Sequence, residues 1–408
     1  MQLSTDERAL IRGIDQAAML AQVEEWAKIN TGTGNLAGLE TVARLLADAF
    51  STLPGEVELV ESAPVTAILP DGSEAEKRHG RRLVVRVRPQ ANRRLLFTGH
   101  MDTVFPADHP FQSLAWLDDD VLNGPGTADM KGGLAIILHA LMALEASGGA
   151  AGIGYDIMVN SDEETGSLSS SGLIAELAQG KEAALTFEPA ATPEGTLAHA
   201  RGGTGNYSII ARGRSAHAGR NPQDGRNALV ALADLTLRLK AMEHAEMTVN
   251  PAKIEGGSAN NVVPDNAVLR FNIRPRTTEA MDAFDADLDA VLVELRDAHG
   301  VSLIRHGGVT RPPKPVPPPA QRLFDLVKDC GEALGQRIDW QSTGGVCDGN
   351  NIAACGVPVV DTMGVRGGKI HSPDEFMIAS SLSERAALAA LVVHRLARKG
   401  PAWREVAT

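Results

Sequence analysis

His100 and Asp102 stand two residues apart in FTGHMDTVFP, residues 97–106, just where an apolar run from Leu95 to Phe97 ends. A continuous apolar run reads as a buried strand, and on extended backbone two side chains at this spacing leave the same face. An imidazole there can bind a metal ion through one nitrogen while a neighbouring carboxylate receives the opposite N–H, which fixes the tautomer and raises ligand basicity. Other strand ends and loops finish in similar groups. Asp129 follows GPGTA; Asp162, Glu163 and Glu164 follow YDIMVN; Glu188 follows AALTF; His371, in KIHSPDEF, comes after VPVVDTM. Taken singly, each acid reads as a solvated loop residue or a helix cap, Asp129 above all because a helix follows it. Together they meet a specific count. Two zinc ions about 3.5–4 Å apart need three protein ligands each, with one carboxylate shared. Two histidines and three carboxylates supply this if Asp129 bridges. The adjacent Glu163 and Glu164 must then differ in role, one facing metal and the other free to take a proton from water as general base.

These residues need a scaffold that gathers strand ends. Helical spacing runs through Leu10, Ile14, Met19, Val23 and Trp26, breaks at INTGTGN, and resumes at Leu39, Val42, Leu45 and Leu46. Strands are expected at 57–60, 83–88, 95–98, 155–160 and 183–187, with a long buried helix after GPGTADMKGG. Strands alternating with helices predict an α/β sheet covered on both faces, whose functional crevice lies outside the carboxyl ends of the strands. The middle of the chain differs: 204–212 and 267–273 alternate like half-exposed strands and flank helical patterns at 225–243 and 278–299. That predicts an inserted α+β domain, residues 200–310, within a catalytic domain made of residues 1–199 and 311–408. RPPKPVPPP, residues 311–319, reads as a stiff linker at the exit.

At 408 residues the chain exceeds what one core usually serves. A net charge of −12 gives no electrostatic reason for a nucleic-acid partner. The local basic run from Lys77 to Arg94 alternates with Val84, Val85 and Val87 and reads as a strand or hairpin with a charged outer face. No secretory signal is expected, since Asp6, Glu7 and Asp15 occupy the first turns. The apolar stretch Gly132 to Ala146 is too short to span a bilayer. Three unpatterned cysteines, Cys330, Cys347 and Cys355, fit reduced thiols and a cytoplasmic location with no membrane partner.

The motifs HMDTV, GPGTADMKGG, SDEETGS, FEP, SAHAG, ANNVVPD and IHSPDEF, in this order over nearly the whole chain, resemble the dinuclear-zinc metallopeptidases that include glutamate carboxypeptidase, aminoacylase, acetylornithine deacetylase and succinyl-diaminopimelate desuccinylase. TGTGN, GTADMKGG and LTFEP lie nearest the glutamate carboxypeptidase pattern. The resemblance implies a catalytic α/β domain with an inserted dimerisation or lid domain. It makes His100, Asp129 and Glu188 ligands of one zinc and Asp129, Glu164 and His371 ligands of the other. Asp102 then orients His100, and Glu163 is the general base. His217 in SAHAG matches a histidine that reaches the neighbouring subunit's site and supports the oxyanion, which implies a homodimer through the inserted domain. Asn261 in ANNVVPD, with Asn260 beside it, and Arg274 in FNIRP match groups that hold a substrate carboxylate, a task that suits a planar guanidinium. Arg201 precedes GGTG where the family often has a basic residue before GTSG. Gly344 and Gly345, in TGGVCDGNN, form a loop that lets substrate backbone approach, while Cys347 reads as packing. The expected activity is hydrolysis of the amide bond in a small peptide or N-acyl amino acid, with zinc, or cobalt or manganese in its place, as cofactor. An N-acyl-amino-acid deacylase and a catalytically silent dimeric binding protein are the rival readings.

Overall fold

In the computed structural model, which describes residues 2–399, a six-stranded mixed sheet runs in the order Glu56–Val60, Arg82–Val87, Gly154–Asn160, Arg94–His100, Ala183–Thr186 and Val359–Val360. The last four strands are parallel to one another, and the first two join antiparallel. Side chains alternate between two cores: Leu95 and Phe97 enter one, Leu96 the other. Helices Leu36–Phe50, Gly132–Ala146, Pro318–Ala333 and Ser381–Lys399 contribute to the first core, and Ser171–Ala178 and Asp348–Ala354 to the second. Covering both faces explains why the central strand is apolar without alternation. It also leaves the carboxyl ends of the parallel strands together on one rim.

A second body has its own core, which includes Tyr207, Leu232, Phe271, Leu288 and Leu303. Its antiparallel sheet has the order Met247–Gly256, Asn266–Pro275, Thr204–Arg212, Ser302–Arg311, and helices Ala228–Ala241 and Thr278–His299 contribute to that core. The two outer strands were not expected from sequence, because Pro251 and the pair Gly307 and Gly308 interrupt their apolar pattern, features an edge strand tolerates. A hairpin of Val65–Ile68 and Glu74–Lys77 ties this sheet to the first body: Arg212 donates to the carbonyls of Asp71 and Gly72, and Arg270 to that of Ile68.

Some elements depart from expectation. RPPKPVPPP is not a stiff linker outside the folded elements: Arg311 ends a strand, Lys314 is buried beside Asp361, and Pro318 starts a helix. Proline suits a helix start because its missing N–H has no intrahelical partner there. The basic run lies on a sheet-interior strand and its flanks. Arg78, Arg81, Arg86, Arg88, Arg93 and Arg94 each pair with a carboxylate, and Arg82 donates to the carbonyls of Ser169 and Glu61. The helical stretch Thr127–Ala146 reaches 20 residues, long and apolar enough to cross a bilayer, yet 94% of its apolar window is buried in the core.

Candidate metal centre

His100 ends its strand and is almost wholly buried. Its Nδ1 lies 3.0 Å from the Asp102 carbonyl and 3.4 Å from Asp102 Oδ1. The Asp102 carboxylate is held in turn by Thr33 Oγ1 at 2.8 Å and by the N–H groups of Glu163 and Glu164 at 3.2 and 3.3 Å. It therefore anchors both the imidazole and the acidic loop, which is the supporting shell a metal-binding histidine needs.

Asp129 sits in the tight turn Thr127–Lys131 and caps no helix; its two oxygens face different partners. Oδ1 lies 3.0 Å from His100 Nε2, and Oδ2 lies 3.3 Å from His371 Nε2. Glu188 Oε2 stands 3.7 Å from His100 Nε2, and Glu164 Oε2 stands 3.2 Å from His371 Nε2. One carboxylate thus stands between two groups of ligands. Candidate ligand atoms of His100, Asp129 and Glu164 lie within 4.8 Å of one another, as do those of His100, Glu163 and Glu188. His371 adopts a left-handed backbone with φ of 62°, a strain that non-glycine residues carry mainly where a site requires it. Its side chain is half-exposed, whereas His100 is enclosed.

Burial pushes the Glu163 carboxyl well above its ordinary range, and burial with the nearby Asp129 charge pushes Glu164 up to about 7. Burial likewise raises Glu188. Asp129 moves the other way: burial opposes ionisation, but hydrogen bonds to His100 and His371 outweigh it. Bonds to Asp129 and Glu164 carry His371 up to about 11. Four carboxylates, Asp129, Glu163, Glu164 and Glu188, converge in this buried cluster. Among the described residues Arg311 is the guanidinium at hydrogen-bond distance from any of them, at Glu163. Buried charges persist only when paired or coordinated, so this donor set fits divalent cations.

The centre opens into a cavity of about 870 Å³ whose wall includes Arg201, Arg274, Gly345 and Cys347. Arg274 is exposed there, whereas Arg201 is bound to Asp361 through Nε at 2.8 Å and donates to the Gly345 carbonyl. Gly344 is not part of the wall. Cys347 is buried, accepts the Asn350 N–H, and has its thiol pushed well up by burial, which disfavours a thiolate nucleophile. His217 and Asn261 are also outside the wall. They lie on neighbouring exposed loops, where Ala218 N donates to the Asn261 carbonyl at 2.9 Å.

Two further groups escaped sequence reasoning. Glu375, inside IHSPDEF, is buried and accepts the N–H groups of Ala128 and Asp129 at 3.1 and 3.0 Å, pinning the turn that carries the shared carboxylate. Arg311 reaches Glu163 from the start of the proline-rich segment, whose composition concealed it.

A sheet rim that gathers histidines around a shared aspartate, with spare carboxylates and an adjoining cavity, defines a metal-dependent hydrolase. Peptidase family M20/M25/M40 matches residues 96–395, and the chain belongs to it as an enzyme of its metallopeptidase and amidohydrolase class. Carboxypeptidase G2 of Pseudomonas sp. (strain RS-16) is 29% identical over 392 residues, covering 93% of this chain and 89% of that one. A succinyl-diaminopimelate desuccinylase of Rhodospirillum rubrum is 28% identical over 320 residues, 70% of this chain and 78% of its own. The YXEP protein of Bacillus subtilis, a dinuclear metal binding peptidase of the M20 family, shares the fold, with a TM-score of 0.63 at 14% identity over 93% of this chain and 97% of its own.

Proposed function

We propose that this protein hydrolyses the amide bond of a small peptide or N-acyl amino acid next to a free carboxylate, in the manner of a glutamate carboxypeptidase. The observation that carries the reading is Asp129, whose two oxygens each face a different histidine. His100, Asp129 and Glu188 would hold one ion and Asp129, Glu164 and His371 the other, zinc being the ion of choice. When bound, such ions supply Lewis acidity, polarising a carbonyl and acidifying water. Glu163, anchored through its backbone to Asp102, takes the proton from the attacking water and returns it to the leaving amine. Arg274, exposed on the cavity wall with its Nε donating to Asn272 Oδ1 at 2.9 Å, is the group suited to a substrate carboxylate.

The partition into a catalytic domain of 1–199 with 311–408 and an insert of 200–310 belongs to the same proposal. So does a cytoplasmic homodimer in which His217 and Asn261 serve the partner's cavity, which the position of their loops outside their own chain's cavity supports. Deacylation of an N-acyl amino acid is the second reading, favoured by the likeness to a desuccinylase. Glu163→Gln tests the mechanism: the amide keeps the shape but accepts no proton, so turnover in a screen of dipeptides and N-acyl amino acids should vanish while two ions stay bound. A near-normal rate would remove Glu163 from the mechanism.

A further inference from the structure

Arg311 is buried, and every hydrogen bond of its guanidinium found among the described residues leaves through Nη2. That nitrogen donates to the Glu163 main-chain carbonyl at 2.9 Å and to Glu163 Oε1 at 2.6 Å. A single atom therefore clasps both ends of one residue, which restricts Glu163 to few rotamers. Arg311 is itself hemmed in: Ser167 Oγ at 2.9 Å and Asp348 Oδ1 at 3.5 Å share the two Nη2 N–H groups with Glu163. Ser167 and Asn160 both donate to Asp348, so the anchor is tied to the end of a central strand. Among the described residues the hydrogen bond to the Glu163 carboxylate falls on Oε1, which leaves Oε2 the less encumbered oxygen for a proton.

We propose that Arg311 is a positioning residue that holds Glu163 so that one carboxylate oxygen is presented to the reacting water, with Asp348 as the buttress of Arg311. The inference rests on the reading of Glu163 as general base. A guanidinium is required because a lysine ammonium, a point charge on a flexible four-carbon stem that reaches one bond less far, does not reproduce the fixed planar approach. Misplacing a reacting group by about 1 Å costs about a hundredfold in rate.

The test uses zinc-loaded protein and N-benzoyl amino acids, each with its C-terminal amide as control, on Arg311→Met, Arg311→Lys and Asp348→Asn. Expected are two bound ions throughout, a kcat about a hundredfold lower for Met, about tenfold lower for Lys and Asn, and a KM within about threefold of the parent. Crystal structures of zinc-loaded Arg311→Lys and Arg311→Met provide a readout independent of turnover: the Glu163 carboxylate should occupy more than one position. Glu163 unmoved in those crystals overturns the inference whether or not any substrate turns over. A raised KM with kcat kept, confined to substrates with a free carboxylate, also overturns it, because the unpartnered Nε of Arg311 would then be serving substrate. If the parent enzyme cleaves none of the probes while Glu163 shifts as expected, the failure falls on the proposed substrate class and not on the clasp.

Discussion

Removing Glu375 should damage the metal centre without touching a ligand. Its carboxylate, 1% exposed, accepts two main-chain N–H groups, and Glu375→Ala would leave both donors buried and unpaired. Each orphaned donor costs about 1–3 kcal/mol, so the turn around Asp129 should lose about 2–6 kcal/mol of support. Metal affinity should fall about 10- to 100-fold, as when other supporting groups are removed. Glu375→Gln keeps an acceptor and should spare both properties, and it carries a pH signature. Burial, with the Asp129 charge adding to it, pushes the Glu375 carboxyl up to about 8 in the metal-free protein. Its unfolded value is about 4.3, so between these limits the folded state keeps a proton that the unfolded state has released. Stability contributed by the protonated group is therefore lost as pH rises through that window. Metal-free wild type and Glu375→Gln should match near the acid end and diverge toward its alkaline end, the Gln variant being the more stable. Thermal unfolding across pH, with calorimetric zinc titration, reads both effects. An Ala variant as stable and as tight-binding as wild type would refute the reasoning, as would a Gln variant that loses stability with pH in step with wild type.

Asp129→Ala should abolish binding of both ions, whereas Glu188→Ala and Glu164→Ala should each weaken one first; a calorimetric isotherm with two intact sites in the Asp129 variant would sink the shared-carboxylate assignment. A Cβ at Gly133 would meet the Phe187 carbonyl at 2.1 Å, so Gly133→Ala should displace the segment carrying Glu188 and weaken the ion held by His100, with unchanged affinity counting against it. If His217 acts across subunits, mixing inactive His217→Ala and Glu163→Gln proteins should restore some activity, and a mixture that exchanges subunits yet stays dead would confine His217 to its own chain.

The rim was legible because its residues cluster at the ends of apolar runs, where a strand must stop and a side chain must face a crevice. In the structure the side chains of His100, Asp129, Glu164, Glu188 and His371 lie side by side. Supporting groups were hidden for physical reasons. Glu375 acts through backbone N–H groups, which carry no residue signature. Arg311 opens a run of prolines that reads as a stiff linker, yet it ends an edge strand with its own side chain buried. The edge strands Met247–Gly256 and Ser302–Arg311 send only a few side chains, Met247, Val249 and Leu303, into the core, and hydrogen bonds to neighbours define the rest of their length. The arginine run was legible as a strand, but not its partners, some of which are carboxylates far along the chain, such as Glu145 and Glu182.

The shared aspartate lies between a histidine near the first quarter of the chain and another near its end, with the whole second body threaded between them. A ribosome-bound chain that has not yet released residue 371 would already carry the crowded acids but not the second imidazole. Contacts so distant in sequence form late because the intervening loop must close first. On the proposed ligand sets, the ion held with His371 would bind only a chain in which these distant segments have docked. Limited proteolysis can read this: added zinc should protect the 408-residue chain more than a His371→Ala variant, which keeps only the ligands of the other ion.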